Sequence, residues 1–136
     1  MIKEDYLVRM IREIITLIAT ALLEHRHIKP VQWIEYDTLT SQLLGLDTPQ
    51  LAALDADEII DRIPETDTDR MGKIELAAMT LLKLSDEMTD RQLFDKHRLR
   101  DNGIQLLRYV SNNDRTFSLQ RETLLRILTN NNKQTI

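Results

Sequence analysis

Along this chain apolar residues return every three or four positions, and the polar residues between them fall on the opposite side of a helical wheel. From Lys3 to about His27, Leu7, Met10, Ile11, Ile14, Leu17, Ile18, Ala21 and Leu22 gather on one side, with Asp5, Arg9, Arg12, Glu13, Thr16 and Thr20 on the other. The uncharged run IITLIATALL, residues 14–23, remains amphipathic, because Thr16 and Thr20 continue the strip begun by Asp5, Arg9 and Arg12. With Val8 and Ile15 added, the apolar arc covers about half the circumference, wider than the ~100° stripe of an ordinary surface helix. Such a helix is expected to pack centrally, its arc covered by two helices of its own chain or by one from another.

Helix-stop and helix-start residues divide the rest of the chain. Pro30 suits the first turn of a second helix, where its missing N–H would have had no partner. That helix is expected to run to about Leu44, with Trp33, Tyr36, Leu39 and Leu43 inward, and to stop at Gly45. In LDTPQLAALDADEIIDRIP, Thr48 and Pro49 read as an N-cap and first helical residue, and Asp55 with Glu58 reads as a capping box. Two short helical pieces result, the second closed by Pro64. After the polar connector ETDTD, a helix from about Thr68 to Met88 carries Met71, Ile74, Ala78, Leu81, Ser85 and Met88, a seam that faces the core or a partner helix.

Thr89 with Gln92 predicts another capping box, opening a helix to about Ser111 that buries Leu93, Phe94, Ile104, Leu107 and Val110. Gly103 inside it marks a kink or a close helix contact. SNNDRT is a turn by composition, a last helix spans about Phe117 to Leu128, and the Asn-rich tail, 129–136, is expected to fray. The pattern predicts an all-α fold with residues 1–136 as a single domain. Its architecture is a compact array of about five longer antiparallel helices with short helical connectors.

Composition agrees, with three Gly, three Pro and no Cys in 136 residues. The missing thiols exclude a disulfide framework, a thiolate metal site and a thiol nucleophile, and they mildly favour the cytoplasm. The net charge of −4 hides an asymmetry, since residues 1–68 carry 6 Lys and Arg against 13 Asp and Glu, and residues 69–136 carry 12 against 9. Attraction within the fold, or between copies, accounts for this better than a polyanion partner does, because Asp90, Asp95 and Asp101 lie among the basic residues.

The candidate chemistry is thin. Lys96, Arg98, Arg100 and Arg108, with Arg115, Arg121 and Arg126, could follow a phosphate backbone, but few aromatics are interleaved and no recognition-helix signature stands out, so nucleic-acid binding is a minor alternative. DTDRMGKIELAA, residues 67–78, imitates a calcium loop, yet Met71 and Ala78 stand where oxygen ligands are needed. An acidic helix start that complements the dipole is the better account. His25 and His27 point in different directions and suit a helix end, while His97 is expected as a hydrogen-bonded core residue.

No residue is assigned to catalysis, to a cofactor or to a metal. An enzyme of unrecognised type would have to assemble its site from His97, Arg98, Arg100 and acids. The opening run is also a poor targeting element, because Glu4, Asp5 and Glu13 precede it and its ten residues fall short of a span of ~20. A cytoplasmic setting without a membrane span is expected.

MIKEDYLVRMIREI and LLGLDTPQLAALDADEIIDRI carry a resemblance. Glu4, Asp5, Tyr6, Arg9 and Met10, then Leu44, Gly45, Leu46 and Asp47, resemble a family of uncharacterised bacterial helical proteins, domain-of-unknown-function family 6483, over roughly the first half of the chain. The resemblance implies tetratricopeptide-like helical hairpins and a bacterial cytoplasmic setting, and brings no catalytic residue. In the second half Glu75 and Leu84 stand where a tetratricopeptide repeat has an aromatic and a small residue.

The function expected is a non-enzymatic α-helical interaction or scaffolding module that binds a protein partner or itself, a homodimer included. Its surface would be the wide arc and the seam, namely Met10, Ile14, Leu17, Ile18, Ala21, Met71, Ile74 and Leu81.

Overall fold

A computed structural model describes residues 4–134, and the side-chain surroundings of residues 5–130. Helices α1 (Glu4–Leu23), α2 (Pro30–Leu44), α5 (Arg70–Glu87), α6 (Leu93–Asn113) and α7 (Leu119–Gln134) are the long elements, and α3 (Thr48–Ala53) and α4 (Ala56–Arg62) are short. The fold is all-α, with no strand among the described residues. Nor is any helix there long and apolar enough to cross a membrane.

The central helix is α5, not α1. Nine consecutive residues of α5, Ile74 to Leu82, are buried, so this helix is enclosed on every side instead of presenting one seam. Gly72, Ala77 and Ala78 keep its surface narrow, and α6 packs closely along it. A Cβ at Gly103 would come within 2.8 Å of the Leu82 side chain and 3.2 Å of the Ala78 carbonyl, so of the two roles expected for this glycine the close contact is present. The broad arc of α1 is covered within the chain by α5, α2 and α7. Ile11, Ile14, Ile15, Ile18, Ala19 and Ala21 are buried, while Asp5, Arg9, Glu13 and Thr16 stay exposed.

Helix directions emerge from contacts at the helix ends. Ser85 near the end of α5 donates to the Lys96 carbonyl near the start of α6, and Arg70 at the start of α5 donates to Tyr109 near the end of α6, so the two are antiparallel. Ser111 of α6 bonds Glu122 of α7, and Arg100 donates to the Leu128 carbonyl, so α7 reverses again. Arg12 of α1 meets Glu75 of α5 while Ala21 and Leu22 lie near Lys83 and Asp86, which sets α1 parallel to α5. In consequence α1, α5 and α7 begin at one end of the molecule, where α6 finishes.

Several boundaries differ from expectation for identifiable reasons. The first helix ends at Leu23, and His25 adopts φ 55°, so both histidines lie beyond the helix and are exposed. Asp47, not Thr48, caps α3 in a capping box with Gln50, freeing the Thr48 hydroxyl to donate to Asp37. Asp55 and Glu58 form the expected box at α4, and Gly45 at φ 70° ends α2. Thr89 makes no side-chain cap; a 3-10 turn over Asp90–Gln92 leads into α6 instead. Leu93 and Phe94 are exposed, because the α5–α6 contact begins near Lys96 and the turn before it lies past the end of α5. His97 is exposed as well.

α7 continues to Gln134, six residues past its expected end at Leu128, since no Gly or Pro comes after it to stop it. The expected helix start at Lys3 and the last two tail positions, 135 and 136, lie outside the described residues.

Candidate functional site

Several cations of the basic second half are held by backbone oxygen. Arg98 donates to the Ala52 carbonyl at the end of α3, and Arg70 donates to the Ile60 and Ile63 carbonyls at the end of α4. Arg100 also donates to a backbone oxygen, the Leu128 carbonyl, though this one lies inside α7 and not at a helix end. The last carbonyls of a helix lack intrahelical donors and carry its negative pole, so an arginine there satisfies both. These contacts turn Arg98 and Arg100, both on α6, toward different elements, α3 and α7, while His97 and Arg108 face solvent and Lys96 reaches the Met88 carbonyl. The four polyanion candidates therefore do not share one free surface, and the residues of the alternative enzyme site do not converge.

The expected interaction surface is mostly interior. Ile14, Ile18, Ala21, Ile74 and Leu81 are core, with Met10, Leu17 and Met71 half-buried at its margin. The wide arc of α1 and the α5 seam are consumed by packing against one another and against α6 and α7.

What the fold does assemble is a charged cluster at the end where α1, α5 and α7 begin. Glu75 stands inside α5 with its side chain 3% exposed, and its Oε1 receives Nη1 of Arg121 at 3.2 Å and Nη2 of Arg12 at 3.1 Å. Arg121 is 2% exposed; it also pairs with Asp114 at 3.4 Å and donates to the Thr116 carbonyl at 2.9 Å. Three helices and the α6–α7 turn are thus tied to one another by charge-assisted bonds in a desolvated setting, where removing one member leaves its partner uncompensated. The Nε of Arg121 is buried without a partner, 4.0 Å from Glu122.

Above this floor lies a cleft of about 400 Å³ whose walls bring together Val8 and Arg12 of α1, Met71 of α5, and Asp114, Phe117 and Ser118 around the start of α7. Val8 and Asp69 also line a smaller hollow of about 100 Å³ with Leu7, Ile11 and Lys73, so the two abut as one groove along α1. The local sequence builds its walls. Asp69 caps α5 through the Gly72 amide, and a Cβ at residue 72 would fall 2.2 Å from the Asp69 carboxylate, so glycine is needed there. Ser118 caps α7 by accepting from the Arg121 amide at 3.2 Å.

Beside the groove, burial tends to raise the Asp67 carboxyl. Lys73 Nζ at 2.7 Å and the Asp69 amide outweigh that and hold it below the ordinary carboxylate value. Asp67 and Asp69, the two acids of the calcium-loop imitation, therefore serve as ion-pair partner and helix cap.

Sequence reasoning misses this cluster, because Arg121 reads as one of a surface basic run and Arg12 as part of the polar strip of α1. The signal in the chain is Glu75, an acid inside the buried stretch IELAAMTLL, which requires a cationic partner from elsewhere. Comparison with protein-family models, with curated proteins and with solved structures gives no match for this chain.

Proposed function

We propose that the protein is a non-enzymatic helical interaction module that receives a segment of a protein partner in the groove between α1 and the starts of α5 and α7. The observation that carries this reading is the division of labour in the cleft. Glu75, Arg121 and Asp114 hold the helices together, while the rim offers apolar surface, with Phe117 73% exposed and Val8 beside it. Exposed apolar side chains gathered at a concave surface mark sites of protein interaction. A bacterial cytoplasmic setting and the resemblance to family 6483, with its tetratricopeptide-like hairpins, accord with this role.

Crosslinked capture from cells of the source organism tests it by comparison. The wild type and the Ile34→Ser variant should retain the same proteins, and the Phe117→Ser variant should lose them. If Phe117→Ser retains the full set, the groove is not the docking surface.

A second reading, self-association, rests on α2, where Val31 is 83% and Ile34 is 65% exposed one turn apart. Light scattering decides it. A dimer that Ile34→Glu dissociates would favour α2 as a self-association face, and a strict monomer would remove that reading.

A further inference from the structure

We infer that the groove reads a carboxylate carried between apolar side chains on a partner's chain, with the Arg12 guanidinium as the group that binds it. This rests on the reading of the groove as a docking surface. The charges of the cleft differ in what each already holds. Both oxygens of Asp114 are engaged, one by the Thr116 amide and one by Arg121. Glu75 lies on the floor between two guanidiniums, and Arg121 is sealed from solvent. Asp69 accepts from the Gly72 amide through one oxygen, and the other is buried beneath the start of α5.

Arg12 differs from all of these. Its side chain is 42% exposed, and its ion pair is a contact through Nη2 with an oxygen that it shares with Arg121. A guanidinium has five N–H donors in a planar fork, and the fork matches a carboxylate. Arg12 lines the cleft together with Val8 and the exposed Phe117, and of the two arginines in that lining it is the one open to solvent.

Counted formally, the lining of the cleft balances, with Asp69 and Asp114 against Arg12 and Arg121, but the field at the opening depends on position. The acids are paired or covered and the accessible group is the cation. The starts of α5 and α7 add their positive poles from the same side. A chain segment suits the site better than a small apolar acid does. The cleft is open along one side, and the second hollow prolongs it past Leu7 and Ile11, so a small ligand would leave much of the apolar wall wet.

The test is a nitrogen-15 NMR titration of the whole chain with acetyl-Leu-Glu-Leu-amide, to about 10 mM because a tripeptide binds weakly. Parallel titrations use the Gln and Lys versions of the peptide and octanoate. The Glu peptide should shift Arg12, Met71 and Phe117–Leu119, and should bind about tenfold tighter than the Gln peptide, the gap expected for one charge-assisted contact. Arg12→Gln, which keeps the Glu75–Arg121 pair, should abolish that gap. Phe117→Ser, an exposed change that spares the core, should weaken both peptides equally.

Equal binding of the Glu and Gln peptides, or preference for Lys, would overturn the carboxylate while leaving a peptide groove in place. Octanoate binding as tightly as the Glu peptide would overturn the choice of a chain segment. No shift in the groove with any probe would overturn the inference outright, while the capture comparison still decides the docking role independently.

Discussion

The start of α5 and the outer edge of α2 reverse the usual distribution of side chains. At the first, two arginines and two carboxylates crowd into a site where Glu75 and Arg121 are almost wholly enclosed. At the second, Thr40 is the residue of α2 that is buried, while Val31 and Ile34 face solvent. Residue type does not explain this, because α2 contains a Trp, a Tyr and three Leu. Place in the array does. α5 is touched by α1, α2, α3, α4 and α6, whereas α2 rests on α1 and α5, with Trp33 laid over the Lys83 ammonium at 4.4 Å. Small residues make the enclosure of α5 feasible. Gly103 against Ala78 and Leu82 brings two backbones together, and α2 has no counterpart.

Substitutions at the two places should separate them by size of effect. Glu75→Ala should cost most, about 3–5 kcal/mol in urea unfolding, because Arg121 would lose the most buried of its carboxylate partners and keep Asp114, the Thr116 carbonyl and the more distant Glu122. Leu81→Ala should cost about 2–5 kcal/mol, the ordinary loss for a large side chain in an enclosed core. Gly103→Ala gains about 1 kcal/mol of helix propensity but forces Leu82 and the α6 backbone apart, for a net loss of about 1–2 kcal/mol.

Asp67→Asn should show a smaller, pH-dependent effect. Lys73 depresses the carboxyl in the folded state, so its contribution is present above the unfolded pKa of about 4 and is lost as pH falls through the lower folded value. The stability gap between wild type and Asp67→Asn should therefore be widest near neutral pH and close in acid. Ile34→Ala on α2 should change stability by less than about 0.5 kcal/mol. If it matched Leu81→Ala, the contrast between the two helices would be wrong.

Much of the architecture is legible in periodicity and stop residues. Pro30 and Gly45 bound α2, Asp55 with Glu58 caps α4, and five long helices with two short ones between them match the apolar spacing. What periodicity cannot supply is which helix lies in the middle. α1 has the cleaner wheel and α5 a mixed one, because a helix enclosed on all sides has no polar face to reveal it. For the same reason five of the apolar residues expected to bind a partner, Ile14, Ile18, Ala21, Ile74 and Leu81, are interior. A Leu seam looks the same whether its neighbour belongs to the chain or to another molecule.

The candidate site is the least legible part. It joins residue 12, residue 75 and residue 121 through side chains whose meeting depends on three helices starting together, and no spacing in the sequence encodes that. Likewise Leu93 and Phe94 fit the wheel of α6, but fall where α5 has already ended.

Arg121 is locked in the floor of the cleft, while Arg12, on the same carboxylate, remains open at its mouth; the proposed recognition depends on that difference. Hydrogen exchange of the two arginine Nε–H groups, monitored by NMR at low pH and temperature, reports on it directly. The Nε–H of Arg121, sealed from solvent, should exchange slowly, and that of Arg12 should exchange near the solvent-limited rate. Equal, fast exchange at both, or protection at Arg12 instead, would contradict it.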